Sequence, residues 1–326
     1  MKSFLFLLTT LTGFLLTMPA IGQPAYKTRF VVAKDGSGDF TTVQGAVDAS
    51  KAFPDETVTI FIKKGVYNEK VRVGSWNTHL SLVGESRDST IITYGDYFKK
   101  VDRGPNSTFL TATLTVEAND FEAKNLTIEN SAGPVGQALA VSVTGTRCLF
   151  ENCRLLGNQD TLYAAGEGAC QYYTNCYIEG TVDFIFGEAT AVFNSCTLHA
   201  KSNGYFTAAS TAHHSPYGFV FADCTLEAAP GVNRVMLGRP WRQYAKVVYL
   251  RCRMGSFVAP EGWVKWAGPA TGDPTAFYAE YRSTGEGANP AKRVSWSKQL
   301  TDAEAKAYTL KNIFKGVPEW PAVKQK

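Results

Sequence analysis

Five short phrases share one pattern: an aromatic, two variable residues, a cysteine, one further residue and an apolar side chain. They are Phe150-Glu-Asn-Cys153-Arg-Leu155, Tyr173-Thr-Asn-Cys176-Tyr-Ile178, Phe193-Asn-Ser-Cys196-Thr-Leu198, Phe221-Ala-Asp-Cys224-Thr-Leu226 and Tyr249-Leu-Arg-Cys252-Arg-Met254. Their cysteines are 23, 20, 28 and 28 residues apart. Phe121-Glu-Ala-Lys-Asn125-Leu-Thr-Ile128 reads as an earlier copy, 28 residues before Cys153, with one extra residue and Asn in the place of Cys. A unit this short cannot bury its own apolar face, so copies must stack on one another as a solenoid.

Each copy carries one short strand, and a regular strand sends alternate side chains to opposite faces. The aromatic, three residues before the cysteine, is therefore expected on the other face. Parallel stacking places the five cysteines in an inward ladder at about 4.8 Å intervals. They read as small buried hydrophobes rather than bridge partners. Cys148 and Cys170 fall outside this register and remain candidates to pair with each other. The expected architecture is all-β, a right-handed parallel β-helix with short helical caps.

Composition agrees with such a chain. Hydrophobic residues make up 44% of the 326 and charged residues 19%, which supplies a core and argues against general disorder. The formal charge of +4 is too weak for a nucleic-acid partner, which would call for a dense basic stripe. It does suit a polyanion.

The first 22 residues read as a cleaved signal peptide: Lys2, an apolar run from Phe4 to Leu16, and the small-residue site Ala20-Ile-Gly22. The run is too short to span a bilayer comfortably. Its removal takes Lys2 and no acidic residue, so the formal charge falls from +4 to +3. The product is expected to be secreted, extracellular or periplasmic, and free of the membrane. Residues 23–326 read as a single domain. A helix capped by Thr42 is expected over 43–50, and Thr301-Asp-Ala-Glu304 is a capping box opening a helix to about Phe314.

Common catalytic constellations are missing from the sequence. There is no Gly-x-Ser-x-Gly elbow and no phosphate-binding Gly-x-x-x-x-Gly-Lys loop. The four histidines form no His-Glu-x-x-His pattern, and Asp35-Gly-Ser-Gly-Asp39 reads as a turn rather than a calcium loop. No metal and no cofactor are expected.

The carboxylates say more. Asp160 and Asp183 each follow the cysteine of their own copy by 7 residues, so stacking sets them side by side, on the order of 5 Å apart. Like charges that close titrate apart, leaving one acid protonated and the other ionised. Taken alone, Asp160 reads as a turn residue and Asp183 as half of a structural ion pair; as an aligned pair they point to catalysis. Gln137 lies 23 residues before Asp160, the same step that separates Asp160 from Asp183. Gln137 and Gln159 could donate to an oxyanion, or simply stack along the solenoid. Arg239, in Leu237-Gly-Arg-Pro-Trp241, is the candidate bidentate partner for a buried Asp183. Trp241, Trp263, Tyr163 and Phe186 are candidates to line a sugar-binding groove, with core packing the alternative for each.

At these residues the chain resembles the pectin methylesterases (pectinesterases), carbohydrate esterases built on a right-handed parallel β-helix. The matching blocks are Asp35-Gly-Ser-Gly-Asp-Phe-Thr-Thr-Val43, Lys64-Gly-Val-Tyr-Asn-Glu-Lys-Val71, Gly136-Gln-Ala-Leu-Ala-Val141, Gly157-Asn-Gln-Asp-Thr-Leu-Tyr163, Val182-Asp-Phe-Ile-Phe-Gly187 and Leu237-Gly-Arg-Pro-Trp241. They run in family order across nearly the whole mature chain. The resemblance implies Asp183 as nucleophile, Asp160 as general acid and then base, Gln137 and Gln159 as oxyanion donors, and Arg239 as the anchor of Asp183. It implies Trp241, Trp263, Tyr163 and Phe186 as cleft aromatics. The implied partner is methyl-esterified pectin (homogalacturonan), acted on by a monomer. Thr207-Ala-Ala-Ser-Thr-Ala212 resembles the bacterial branch more than the plant one, and no inhibitory pro-domain is expected before the catalytic part. A related esterase with another ester as substrate, or a polysaccharide-binding solenoid without catalysis, are the alternative readings.

Overall fold

A computed structural model describes residues 26–266, 275–317 and 320. The expected signal peptide lies outside the described residues. The chain winds as a right-handed parallel β-helix whose walls are sheets of 11, 8 and 7 strands, every pairing in them parallel. One coil runs from Cys148–Glu151 in the first wall through Arg154–Leu156 in the second to Leu162–Ala164 in the third. The next repeats this as Cys170–Thr174, Tyr177–Gly180 and Ile185–Gly187.

The repeat aromatics stack as the phrase predicts. Phe150, Tyr173, Phe193, Phe221 and Tyr249 are register partners on successive coils. Their ring centroids are 5.0, 4.7, 4.6 and 4.5 Å apart and nearly parallel. The cysteines form a second buried column, each thiol donating to a carbonyl of the preceding coil: Cys153 Sγ to Ala123 O at 3.3 Å, Cys176 Sγ to Phe150 O at 3.4 Å, Cys196 Sγ to Tyr173 O at 3.5 Å.

Aromatic and cysteine thus face the same interior, contrary to the expected alternation. The residue between the two strands accounts for this. Asn152, Asn175, Ser195, Asp223 and Arg251 all take a left-handed backbone, φ 51° to 55°, which turns the chain from the first wall into the second and returns the next side chain inward. Asn and Asp tolerate that conformation because their short polar side chains bond locally.

The earlier copy is also corrected. Glu151 pairs with Lys124 and Arg154 with Thr127, so Asn125 sits beneath Asn152 and Leu126 beneath Cys153. Asn125 shares the left-handed turn (φ 54°), accepts a 2.8 Å bond from the Asn152 amide, and involves no extra residue. Cys148 and Cys170 do not pair; all seven cysteines are free thiols.

The ends are finished by local chemistry. The first helix, Val43–Asp48, is capped by Thr42, and the Glu69 carboxylate accepts from Val43 N and Gln44 N at 2.8 and 2.9 Å. Two backbone donors at a helix start thereby gain an anionic acceptor. At the other end the Thr301–Glu304 capping box forms, but the expected single helix divides into Asp302–Ala305 and Leu310–Ile313 because Thr309 caps a second start. Phe314 and Trp320 pack against Tyr172, covering the outer face of the 11-stranded wall.

Candidate active site

The third wall carries the site. Asp160 and Asp183 lie two residues before Leu162 and Ile185, which are register partners, and Asp160 N donates to Val182 O at 3.1 Å. Equal offsets along two paired strands place the two carboxylates at one level on adjacent coils, as their spacing predicts. Both residues are left-handed, φ 65° and 51°, and both are buried. Gln137 comes to the same cleft one position off the expected register: it bridges to Gln159, not to Asp160. The longer loop before it absorbs the difference.

Arg239 completes the group. Tyr163, Phe186, Ala208 and Arg239 follow one another across paired strands of this wall. Ala208, the short side chain between Phe186 and Arg239, leaves the gap across which the guanidinium reaches Asp183. Nε donates to Oδ1 at 3.0 Å and Nη2 to Oδ2 at 2.7 Å. This fork is planar and charge-assisted, the strongest arrangement open to such a pair.

The two carboxyls are not equivalent. Burial, followed by the charge of Asp183, pushes Asp160 well above the ordinary carboxyl range, against the opposing charge of Arg239. Burial also raises Asp183, but the hydrogen bonds and charge of Arg239 hold it back. Asp160 is thus the carboxyl pushed further toward its acid form, and Asp183 the one whose anion is supported by Arg239.

The open cleft over these groups measures about 360 Å³ and is lined by Gln137, Gln159, Asp160, Asp183, Arg239 and a set of apolar residues. Phe109, Tyr163, Phe186 and Trp241 make a continuous aromatic rim, with successive centroids 5.0, 4.7 and 5.8 Å apart. Burial and then Glu188 push the Tyr163 hydroxyl up to about 12, so it stays a neutral phenol.

Trp263 does not reach the cleft. Gly238 bridges to it as an extension of the wall, and its ring points inward to lie between Tyr249 and Tyr278 at 5.6 and 4.6 Å. Trp266, three residues on, lines the cleft instead. Sequence reasoning also missed Thr108 and Phe109, which come from a short 3-10 helix, Ser107–Leu110, outside the repeat and carry no spacing signal. Among the described residues, no group of three or more His, Cys, Asp or Glu side chains is arranged to hold a metal ion.

The pattern that defines the pectinesterase family matches residues 29–317. This chain belongs to the pectinesterase family. It is 38% identical over 287 residues to Pectinesterase 31 of Arabidopsis thaliana, covering 85% of this chain and 90% of that protein. A pectin methylesterase from carrot has the same fold, with TM-score 0.84 and 33% identity over 93% of this chain and 98% of that one. A pectin methylesterase solved in complex with a hexasaccharide superposes with TM-score 0.76 and 30% identity over 89% and 97% of the two chains. The chain spans about half the length of other curated pectinesterase relatives it matches, 54% and 41% of two from Arabidopsis thaliana.

Proposed function

We propose that this protein is a pectin methylesterase that hydrolyses methyl esters of galacturonate units in homogalacturonan to pectate and methanol. The observation that carries the reading is the aligned pair: Asp183 forked to Arg239 beside Asp160, both opening on one cleft with Gln137 and Gln159.

Asp183 attacks the ester carbonyl carbon, and the two glutamine amides donate to the oxyanion that forms. The bond from carbon to methoxy oxygen then breaks, and Asp160 passes its proton to that oxygen, releasing methanol. What remains is an acyl anhydride between Asp183 and the galacturonate. Water attacks its carbonyl as Asp160 takes back a proton. The anhydride opens to regenerate the Asp183 carboxylate and leaves the galacturonic acid, which ionises in solvent. Tyr163, Phe186, Trp241 and, in place of Trp263, Trp266 offer flat faces to sugar rings.

The protein works in this reading as an exported monomer, its signal peptide removed before Gln23 and residues 23–326 forming one catalytic domain. The relative that binds a hexasaccharide supports an extended polymer in the equivalent cleft.

The test is methanol release from highly methylated pectin by the mature chain and by Asp183→Ala. Methanol from the first and none from a folded second is expected. No methanol from a folded wild type would overturn the substrate, and retained turnover in Asp183→Ala would overturn the nucleophile.

A further inference from the structure

Arg239 is held from both faces. Its guanidinium carbon lies 4.1 Å from the centroid of Tyr205 and 4.1 Å from that of Trp266. Each distance is well inside the ~6 Å range of a cation over an aromatic ring. The edge of the same guanidinium carries the fork to Asp183 at 3.0 and 2.7 Å. Two rings and the fork to Asp183 together restrain the guanidinium plane.

Tyr205 lies two residues before Thr207, the register partner of Ile185, and so takes on the next coil the level that Asp183 holds. It belongs to Gly204–Tyr205, which pairs with Val235–Met236 in a two-stranded ladder separate from the three long walls. Met236 precedes Arg239 by three residues, so this small ladder ties the segment bearing the arginine to the ring beneath it. Trp266 faces the cleft, whereas Tyr205, half-buried, lies outside its lining.

We infer that Tyr205 is a positioning residue for the reaction: it locks the Arg239 plane in line with the Asp183 carboxylate and so keeps the attacking oxygen anionic. A guanidinium is weakly hydrated on its faces, and aromatic cover there costs little while excluding water. Without the lower face, the fork can tilt and water can enter beside a buried anion. A bidentate pair that becomes single or water-mediated loses the charge-assisted bonding that opposes the burial of Asp183. The proton affinity of Asp183 then rises, and the nucleophile is spent as its acid. Trp266 alone cannot supply the constraint, since a ring on one side leaves the plane free to rock.

This inference rests on the proposed role of Asp183, and the experiment separates the two. Protein labelled with carbon-13 at the aspartate carboxyls is titrated by NMR, with the Asp183 signal assigned by its loss in Asp183→Asn. Wild type, Tyr205→Leu and Tyr205→Phe are compared, with methanol release measured alongside. In Tyr205→Leu the Asp183 midpoint is expected to rise by about one pH unit, a tenfold change in proton affinity. At a pH below both midpoints kcat should fall about tenfold while KM stays within about twofold, and the difference in kcat should shrink as pH rises past them. Tyr205→Phe, which keeps the ring, should restore both. Should Tyr205→Leu fail to fold, Tyr205→Gln serves the same comparison. An Asp183 midpoint unmoved in the ringless variant, or a Tyr205→Phe as impaired as Tyr205→Leu, would overturn the clamp. If the wild type released no methanol, the esterase reading would fall and the titration would still decide the clamp.

Discussion

Asp160 and Asp183 occupy one register position on consecutive coils, and both enter the third wall through a left-handed residue, φ 65° and 51°. Both carboxyls open on the cleft that Gln137, Gln159 and Arg239 also line. Aspartate is among the few side chains that take this backbone readily. The site is therefore built at positions where the acid is favoured twice, by the turn and by the chemistry.

Asp160→Asn keeps both the shape and the left-handed tolerance, so it isolates the proton. Turnover is expected to fall by at least ~100-fold, the usual contribution of a general acid. The raised acid of Asp160 also fixes the sign of a stability effect. The folded state holds this proton more tightly than the unfolded one, so the wild type loses stability as pH rises from the unfolded value toward the folded one. Asp160→Asn lacks that loss. Its unfolding midpoint should match the wild type in acid and exceed it increasingly as pH rises through this window, then stay level. Thermal unfolding from pH 4 to pH 8 checks this, and a constant difference would contradict the assignment. The rate itself should fall in acid as Asp183 protonates and in base as Asp160 gives up its proton.

The left-handed corner between the first two walls should tolerate few side chains. Asn175, exposed with φ 54°, is the cleanest place to measure it. Asn175→Ile should destabilise the fold by about 1–2 kcal/mol through the backbone alone. Asn175→Gly should stay within about 0.5 kcal/mol. Urea unfolding of both variants gives the comparison, and equal midpoints would refute the turn.

The seven thiols give a third check. Six are buried and Cys170 is partly exposed. Burial pushes Cys148 up to about 12, far from a reactive thiolate, and raises Cys170 less. Without reductant, a thiol reagent should modify one group in the native protein, lost in Cys170→Ser, and all seven after denaturation. A shortfall of two in the denatured protein would mean a disulfide that the structure lacks.

Much of this was legible in the sequence because a solenoid turns spacing directly into position. Once Phe150, Tyr173 and Phe193 read as one column, the equal offsets of Asp160 and Asp183 from Cys153 and Cys176 placed the two acids side by side. What periodicity could not resolve was the corner. Asn152 and its counterparts look like ordinary strand residues until their backbone is known, and a single left-handed residue is enough to bring aromatic and cysteine to the same face. The same limit applies wherever the repeat is interrupted. Gln137 met Gln159 one residue off because a loop length does not reveal where the ladder resumes. Trp263 turned inward and Trp266 outward because an added bridge at Gly238 set the parity. Phe109 belongs to an insertion outside the repeat, and Tyr205 sits on the coil after Asp183, so their distances to Tyr163 and Arg239 exist only after the coils have stacked. Local periodicity thus determined the fold and the paired acids, since stacking repeats converts them into neighbours, while the arginine was named by the need of a buried Asp183 for a partner. The orientation of that arginine, and the rings that hold it, were decided by contacts between distant segments, which no spacing along the chain encodes.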